Sequence, residues 1–246
     1  MKDSVNILGI KFSGLSLKET AELICSKVLE KREKTFHVIT ANPEIALDIE
    51  RDAELKKISL EADLITPDGI GIIFASRLKK KPLPERVTGC ELMFELLKEG
   101  NEKGFSFYFL GASEEVSKTA CENIKRDYPG AKILGRHNGY FKAEEESLIF
   151  EEIESLSPDF LIIALGAPFA DKLIYKYKHK ITAKVTMGVG GSLDIISGKV
   201  KRAPLFWRKL NIEWLYRLIS NPKRWRRQLK LPVFAMKALI EAFRER

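Results

Sequence analysis

Phe105-Ser-Phe-Tyr-Phe-Leu110-Gly111-Ala-Ser113 decides the fold class of this chain. Five of its first six residues are apolar, and a continuous run of that length reads as a buried strand. Gly111 ends the run, and Ser113 is placed to cap a following helix. The same alternation recurs outward from this point. Residues 131–135, 160–165 and 184–187 are further strand-like runs, and the last leads into Gly188-Val-Gly-Gly191. Toward the N-terminus, residues 5–10 form one short apolar run. Ser16-Leu-Lys-Glu19 is a capping box that opens a helix to about residue 31. Residues 35–41 are β-rich and stop at Asn42-Pro43, and helical patterning continues through residue 60. Residues 62–66 are another short run, ending in Pro67-Asp68-Gly69 ahead of a helix that stops near residue 78. Strands alternating with helices predict an α/β fold: a mostly parallel sheet with helices on both faces.

The 246 residues carry a net charge of +8, unevenly placed. Residues 199–246 hold 14 Lys and Arg against 3 Asp and Glu, whereas the preceding 198 residues hold 28 against 31. Trp207, Trp214 and Trp225 also fall in that last segment. The chain therefore divides into an α/β core, residues 1–198, and a basic, aromatic helical appendage, residues 199–246. Such an appendage suits a polyanion: nucleic acid, anionic lipid or a phosphorylated substrate. Asn221-Pro222 reads as a helix cap with proline at the first helical position, and Pro232 divides the appendage again. Residues 233–244 form an amphipathic helix that either packs on the core or lies in a membrane interface. No run is long enough to cross about 30 Å of hydrocarbon. The first ten residues lack a long apolar segment with a cleavage site, so the expected compartment is the cytosol. Cys25, Cys90 and Cys121 form neither a CxxC motif nor a disulfide framework.

In an open α/β sheet, ligands bind beyond the carboxyl ends of the strands. Four turns with small residues occupy such ends: Thr40-Ala-Asn42-Pro43, Thr66-Pro-Asp68-Gly69, Leu110-Gly111-Ala-Ser113 and Gly188-Val-Gly-Gly191. Their backbone N–H groups suit phosphate oxygens, which points to a nucleotide or sugar-nucleotide, although neither GxGxxG nor GxxxxGK[ST] is present. Asp68, rigidly held between Pro67 and Gly69, is a candidate acid/base; its alternative reading is a helix cap. Asp194 has the same two readings. Arg86 is either an anion contact or a solvated loop residue. Arg224 and Arg227 share a helix face and, with Arg217, suit a diphosphate or simply keep the surface charged. His37, His137 and His179 are far apart and no DxD occurs, so no metal site is expected.

These residues resemble the WecG/TagA/CpsF glycosyltransferases. The resemblance runs from about residue 5 to 230, through Thr40-Ala-Asn42-Pro43, Ala62-Asp-Leu-Ile-Thr-Pro-Asp68-Gly-Ile-Gly71 and Glu85-Arg86-Val-Thr-Gly89. It continues in Phe109-Leu-Gly-Ala112, Gly139-Tyr-Phe141, Leu165-Gly-Ala-Pro168 and Met187-Gly-Val-Gly-Gly191 through Asp194. It closes on Gly198-Lys-Val-Lys-Arg-Ala-Pro204 and Glu213-Trp-Leu-Tyr-Arg-Leu218. The resemblance implies a Rossmann-like fold and an inverting enzyme that needs no metal or other cofactor. Its substrates would be a UDP-sugar, N-acetylmannosamine or a related sugar, and polyprenyl-diphosphate-linked N-acetylglucosamine. It implies work at the cytoplasmic face of the membrane, as a peripheral protein, in teichoic acid or surface polysaccharide assembly. By position, Asp68 matches the base, and Thr40, Asn42 and Arg86 match pocket residues. Gly111 and Asp194 join the substrate-binding set, and Gly188, Gly190 and Gly191 lie near the nucleotide. Arg217, Arg224 and Arg227 match arginines of an appendage that binds the lipid diphosphate at the membrane.

One departure stands out. The family usually has Gly-x-Pro-Lys-Gln-Glu where this chain has Gly166-Ala-Pro168-Phe169-Ala170-Asp171, so Ala170 replaces the usual glutamine. This leaves open another UDP-sugar donor, or a non-catalytic family member. A nucleic-acid-binding protein would explain the basic appendage but not the turns or Asp68. A homo-oligomer that covers the appendage is also compatible with the sequence.

Overall fold

The strand that begins at Ser106 is buried on both of its faces. Phe107 and Phe109 point into one apolar layer and Tyr108 and Leu110 into another, all fully shielded from solvent. Two-sided burial is the mark of a strand inside a parallel sheet covered by helices. The structure is a computed structural model that describes residues 4–31, 33–204, 206–207, 210, 212–220, 222 and 225–244.

Six strands form that sheet: β3 (Phe36–Ala41), β4 (Leu64–Pro67), β5 (Ser106–Gly111), β6 (Lys132–His137), β7 (Phe160–Ala164) and β8 (Val185–Gly188). They lie in the order β4-β3-β8-β7-β5-β6, and all pairings are parallel. One face is covered by α1 (Leu17–Leu29), α5 (Gly89–Lys103) and α6 (Glu114–Asp127), packed on Val38, Phe107, Phe109 and Ile162. On the other face, α7 (Ala143–Leu156) and α8 (Phe169–Tyr177) cover β5 and β7. There α2 (Pro43–Arg51), α3 (Ala53–Glu61) and α4 (Ile70–Leu78) cover β3 and β4. The α/β architecture with helices on both faces agrees with the alternation in the sequence.

Three local readings change. Residues 5–10 are not one strand but most of a hairpin, β1 (Val5–Ile7) and β2 (Ile10–Phe12), paired antiparallel. Leu8 and Gly9 turn the chain with φ of 52° and 80°, the left-handed backbone that tight hairpins require. The helical stretch after Pro43 is two helices. Asp52 ends the first and caps the second, its carboxylate accepting from the N–H groups of Glu54 (2.8 Å) and Leu55 (3.2 Å). Pro232 does not divide the C-terminal region; it sits in the first turn of a long helix, residues 230–244, where proline lacks no needed donor. The cap reading at Asn221-Pro222 rests on Asn221, which lies outside the described residues.

The chain leaves the sheet through α9 (Ser192–Ile196), then α10 (Glu213–Ser220), α11 (Trp225–Gln228) and α12 (Lys230–Arg244). α12 packs on α2 and α4, burying Phe234 and Ala238 in the same core as the hairpin; Ala242 is buried too. Of the two readings of this helix, packing on the core is the one observed. Its opposite side exposes Met236, Ile240 and Phe243.

Candidate active site

The carboxyl ends of β4, β3, β8 and β7 open into one cavity of about 1050 Å³. Its assembly starts with backbone pairing. Thr40 and Thr66 are register partners on β3 and β4, so the segments that follow them emerge side by side. The Asp68 N–H then donates to the Ala41 carbonyl (3.0 Å), which holds the turn after β4 against the end of β3. Beyond α4, the Val87 N–H donates to the Pro67 carbonyl (2.8 Å) and the buried Thr66 hydroxyl donates to the Val87 carbonyl (3.1 Å). These two bonds fix Arg86 and Thr88 beside Asp68.

Asp68 does not cap α4; Gly69 holds that position without a side-chain bond. Its Oδ2 instead accepts from the N–H of Gly89, the first residue of α5, at 3.3 Å. Gly89 also passes close to Thr40: a Cβ there would stand 2.8 Å from the Thr40 Oγ1. Only glycine permits that approach, which brings Thr40, Asp68 and the start of α5 together. The Thr40 hydroxyl faces the Gly188 carbonyl at 3.5 Å. Asn42 lines the cavity while capping α2, its Oδ1 accepting from the Ile45 N–H at 3.0 Å. Gly188, Gly190, Gly191 and Asp194 line the far side. The structure thus gathers eight predicted residues, Thr40, Asn42, Asp68, Arg86, Gly188, Gly190, Gly191 and Asp194, around one space.

Gly111 is not among the lining residues. A Cβ at this position would meet the Ala164 carbonyl carbon and oxygen at 2.5 Å, and φ is +127°. The need for glycine here comes from the packing of β5 against β7. Arg224 lies outside the described residues, as do the side chains of Arg217 and Arg227.

Several lining residues carry no local signal in the sequence. Arg86 reaches Glu213 on α10 (3.5 Å) and Glu91 on α5 (3.6 Å), and Arg202 donates to Glu91 at 2.8 Å. These pairs hold the segment after α9 over the mouth of the cavity. Asp171, beside Ala170 on α8, lies 3.4 Å from the ring nitrogen Nε2 of His37, and both are buried. The two are 134 positions apart, so spacing alone does not couple them. Ala170 is itself buried, with its Cβ 3.2 Å from where a Cβ on Gly188 would stand. Among the described residues, no group of three or more His, Cys, Asp or Glu is arranged to hold a metal ion.

The cavity has two chemical characters. In one part it is polar and of mixed charge, with Arg86, Lys199, Lys201 and Arg202 on its wall beside Asp68, Asp194, Asp171, Glu44, Asp48 and Glu213. Where α4 and α12 contribute, it is apolar, lined by Ile70, Phe74, Leu231, Phe234, Ala235 and Ala238. A carboxylate, arginine and lysine side chains and an apolar wall in one space suit a ligand with a sugar, a phosphate-bearing part and a greasy part.

The sequence matches the glycosyl transferase WecG/TagA/CpsF family over residues 5–246. An N-acetylglucosaminyldiphosphoundecaprenol N-acetyl-beta-D-mannosaminyltransferase of Bacillus spizizenii is 39% identical over 208 residues, covering 85% of this chain and 80% of the relative. A protein of the same name from Bacillus subtilis is 39% identical over 204 residues, covering 83% and 79%. Another, from Staphylococcus aureus strain MRSA252, is 34% identical over 233 residues, covering 95% and 91%. With the parallel sheet and the cavity at its carboxyl edge, these matches establish that the chain belongs to the WecG/TagA/CpsF family and is a glycosyltransferase.

Proposed function

We propose that this glycosyltransferase moves N-acetylmannosamine, or a closely related sugar, from UDP to a polyprenyl-diphosphate-linked N-acetylglucosamine. The observation that carries the reading is the convergence of Asp68, Thr40 and Arg86 on a cavity with a charged part, which includes lysines and arginines, and an apolar wall. The names of the three relatives supply the sugar and the lipid acceptor.

The chemistry is a single displacement with inversion. Asp68 takes the proton from the acceptor hydroxyl, whose oxygen bonds to the anomeric carbon of the donor as the bond to the UDP oxygen breaks. The Gly89 N–H orients the Asp68 carboxylate. Thr40 lies beside that carboxylate, where its hydroxyl can meet the reacting sugars. Arg86 and the backbone N–H groups of the Gly188–Gly191 turn offset the charge growing on the diphosphate, as fixed donors do elsewhere. This places the stabilising charge on the protein, without a bound cation. Asn42, Asp194 and the glycines shape the donor pocket, and the apolar wall receives the first part of the prenyl chain. Ala170 leaves a smaller side chain beside Gly188 than glutamine would, so a related UDP-sugar is the second donor to test.

No helix among the described residues is long and apolar enough to cross a membrane. The reading instead sets the C-terminal segment on the cytoplasmic membrane surface. Phe206, Ile219, Trp225, Leu229, Met236 and Phe243 are all more than half exposed there, in a segment whose basic residues suit anionic lipid. Arg217, Arg224 and Arg227 are assigned to the lipid diphosphate.

The test is Asp68→Asn. General-base assistance is typically worth about 10²–10⁴-fold, so turnover should fall at least about 100-fold while circular dichroism and the melting temperature stay near wild type. Near-normal turnover in the folded variant would remove Asp68 as the base.

A further inference from the structure

Gln228, the last residue of α11, lines the same cavity as Asp68 and Arg86. It is supplied by the C-terminal segment, not by the sheet. Its Oε1 is buried and meets no hydrogen-bond donor among the described residues. The large majority of buried side-chain polar atoms find a partner, and an unpaired carbonyl oxygen destabilises the state that buries it. The protein therefore tolerates this oxygen in a wall that otherwise faces bound substrate.

The chemistry of the missing partner is narrow. A carboxamide oxygen accepts and does not donate. Diphosphate oxygens also only accept, so they cannot satisfy it. Sugar hydroxyls and the N–H of an acetamido group can. Of the arginines that line the cavity, the guanidinium of Arg202 is engaged by Glu91, and that of Arg86 by Glu91 and Glu213. On the α8 side, Ala170 offers the cavity no polar side-chain atom. We propose that the Gln228 carboxamide oxygen accepts a hydrogen bond from a hydroxyl or acetamido N–H of a bound sugar. It would then be a substrate-binding residue that reaches the site only when the C-terminal segment lies over it. This assignment rests on the transferase reading given above.

The experiment compares wild type with Gln228→Leu, which keeps the side chain's bulk and removes its polar end. UDP-N-acetylmannosamine and a short prenyl-diphosphate-N-acetylglucosamine are varied separately, and melting temperatures are recorded. The expected result is a loss of about 10- to 100-fold in kcat/KM for the substrate whose sugar meets Gln228, with KM for the other substrate unchanged. Which substrate is affected tells whether the donor or the acceptor sugar makes the contact. The melting temperature of the ligand-free variant should equal or exceed wild type, because the variant no longer buries an unpaired oxygen. A purely structural role would lower stability and activity together, and that outcome overturns the assignment. So does a kcat/KM within twofold of wild type for both substrates. If wild type neither binds nor transfers any UDP-sugar tried, the transferase reading fails and the Gln228 assignment falls with it. Normal transfer by both proteins overturns the Gln228 assignment alone.

Discussion

Asp68 shows how a single residue's meaning depends on a contact that its neighbours in sequence do not reveal. Between Pro67 and Gly69 it fits a helix cap as well as a base. The structure gives the cap position to Gly69 and aims the carboxylate at the Gly89 N–H, 21 positions away. That contact depends on the bonds from Val87 to β4, which no local pattern encodes. Thr40, Asn42 and the Gly188–Gly191 turn were legible because small and capping residues mark strand ends. Asp171, Glu91, Glu213 and Gln228 were not, because each gains its place from a partner or wall distant in sequence. Burial decides the behaviour of two cysteines as well. It raises the thiol pKa of both Cys25 and Cys121 to about 11, and only the thiolate is an effective nucleophile. Iodoacetamide at pH 8 should therefore leave both unmodified in the native protein and alkylate both after denaturation, as read by peptide mass spectrometry. Rapid native labelling of either would contradict their placement in the core.

At the scale of elements, α12 presents different neighbours to its two sides. Phe234 and Ala238 face α2 and α4, and Phe234 packs toward Gly71, where a Cβ would lie 3.8 Å from its ring. Ion pairs border this contact: Lys230 with Asp48, Lys237 with Glu50, and Glu241 with Lys79 and the Leu8 N–H. A partly exposed pair such as Lys237–Glu50 is worth about 0–1 kcal/mol, whereas truncating a buried phenylalanine costs about 3–5 kcal/mol. Phe234→Ala should thus destabilise the protein by roughly 3 kcal/mol or more in chemical denaturation, and Lys237→Ala by under about 1 kcal/mol. The reverse ranking would mean that charge holds this helix down. Periodicity identified α12 as amphipathic but could not choose its surroundings, since both of its apolar sides look alike in sequence. The hairpin was missed for a different reason. Its turn is Leu8-Gly9, without the Asn-Gly or Asp-Gly signal that usually marks a two-residue connection.

For the whole molecule, alternation of strand and helix gave the layers but not the strand order. A parallel sheet takes its order from how crossovers pack, and the runs at 36–41 and 185–188 bear no sign that they are neighbours. That adjacency of β3 and β8 brings Thr40 to Gly188 and so creates the cavity. The C-terminal segment completes the space from above, adding Glu213, Gln228 and the apolar wall of α12. The proposed function would join catalysis and surface attachment in one segment: the residues proposed to meet a membrane flank those that line the cavity. The most direct measurement of this account is release of UDP from UDP-N-acetylmannosamine in EDTA, with and without prenyl-diphosphate-N-acetylglucosamine presented in anionic vesicles. Release should depend on the acceptor, persist in EDTA and accompany sedimentation of the protein with the vesicles. Absence of acceptor-dependent release from this donor and from related UDP-sugars would contradict the proposed transfer.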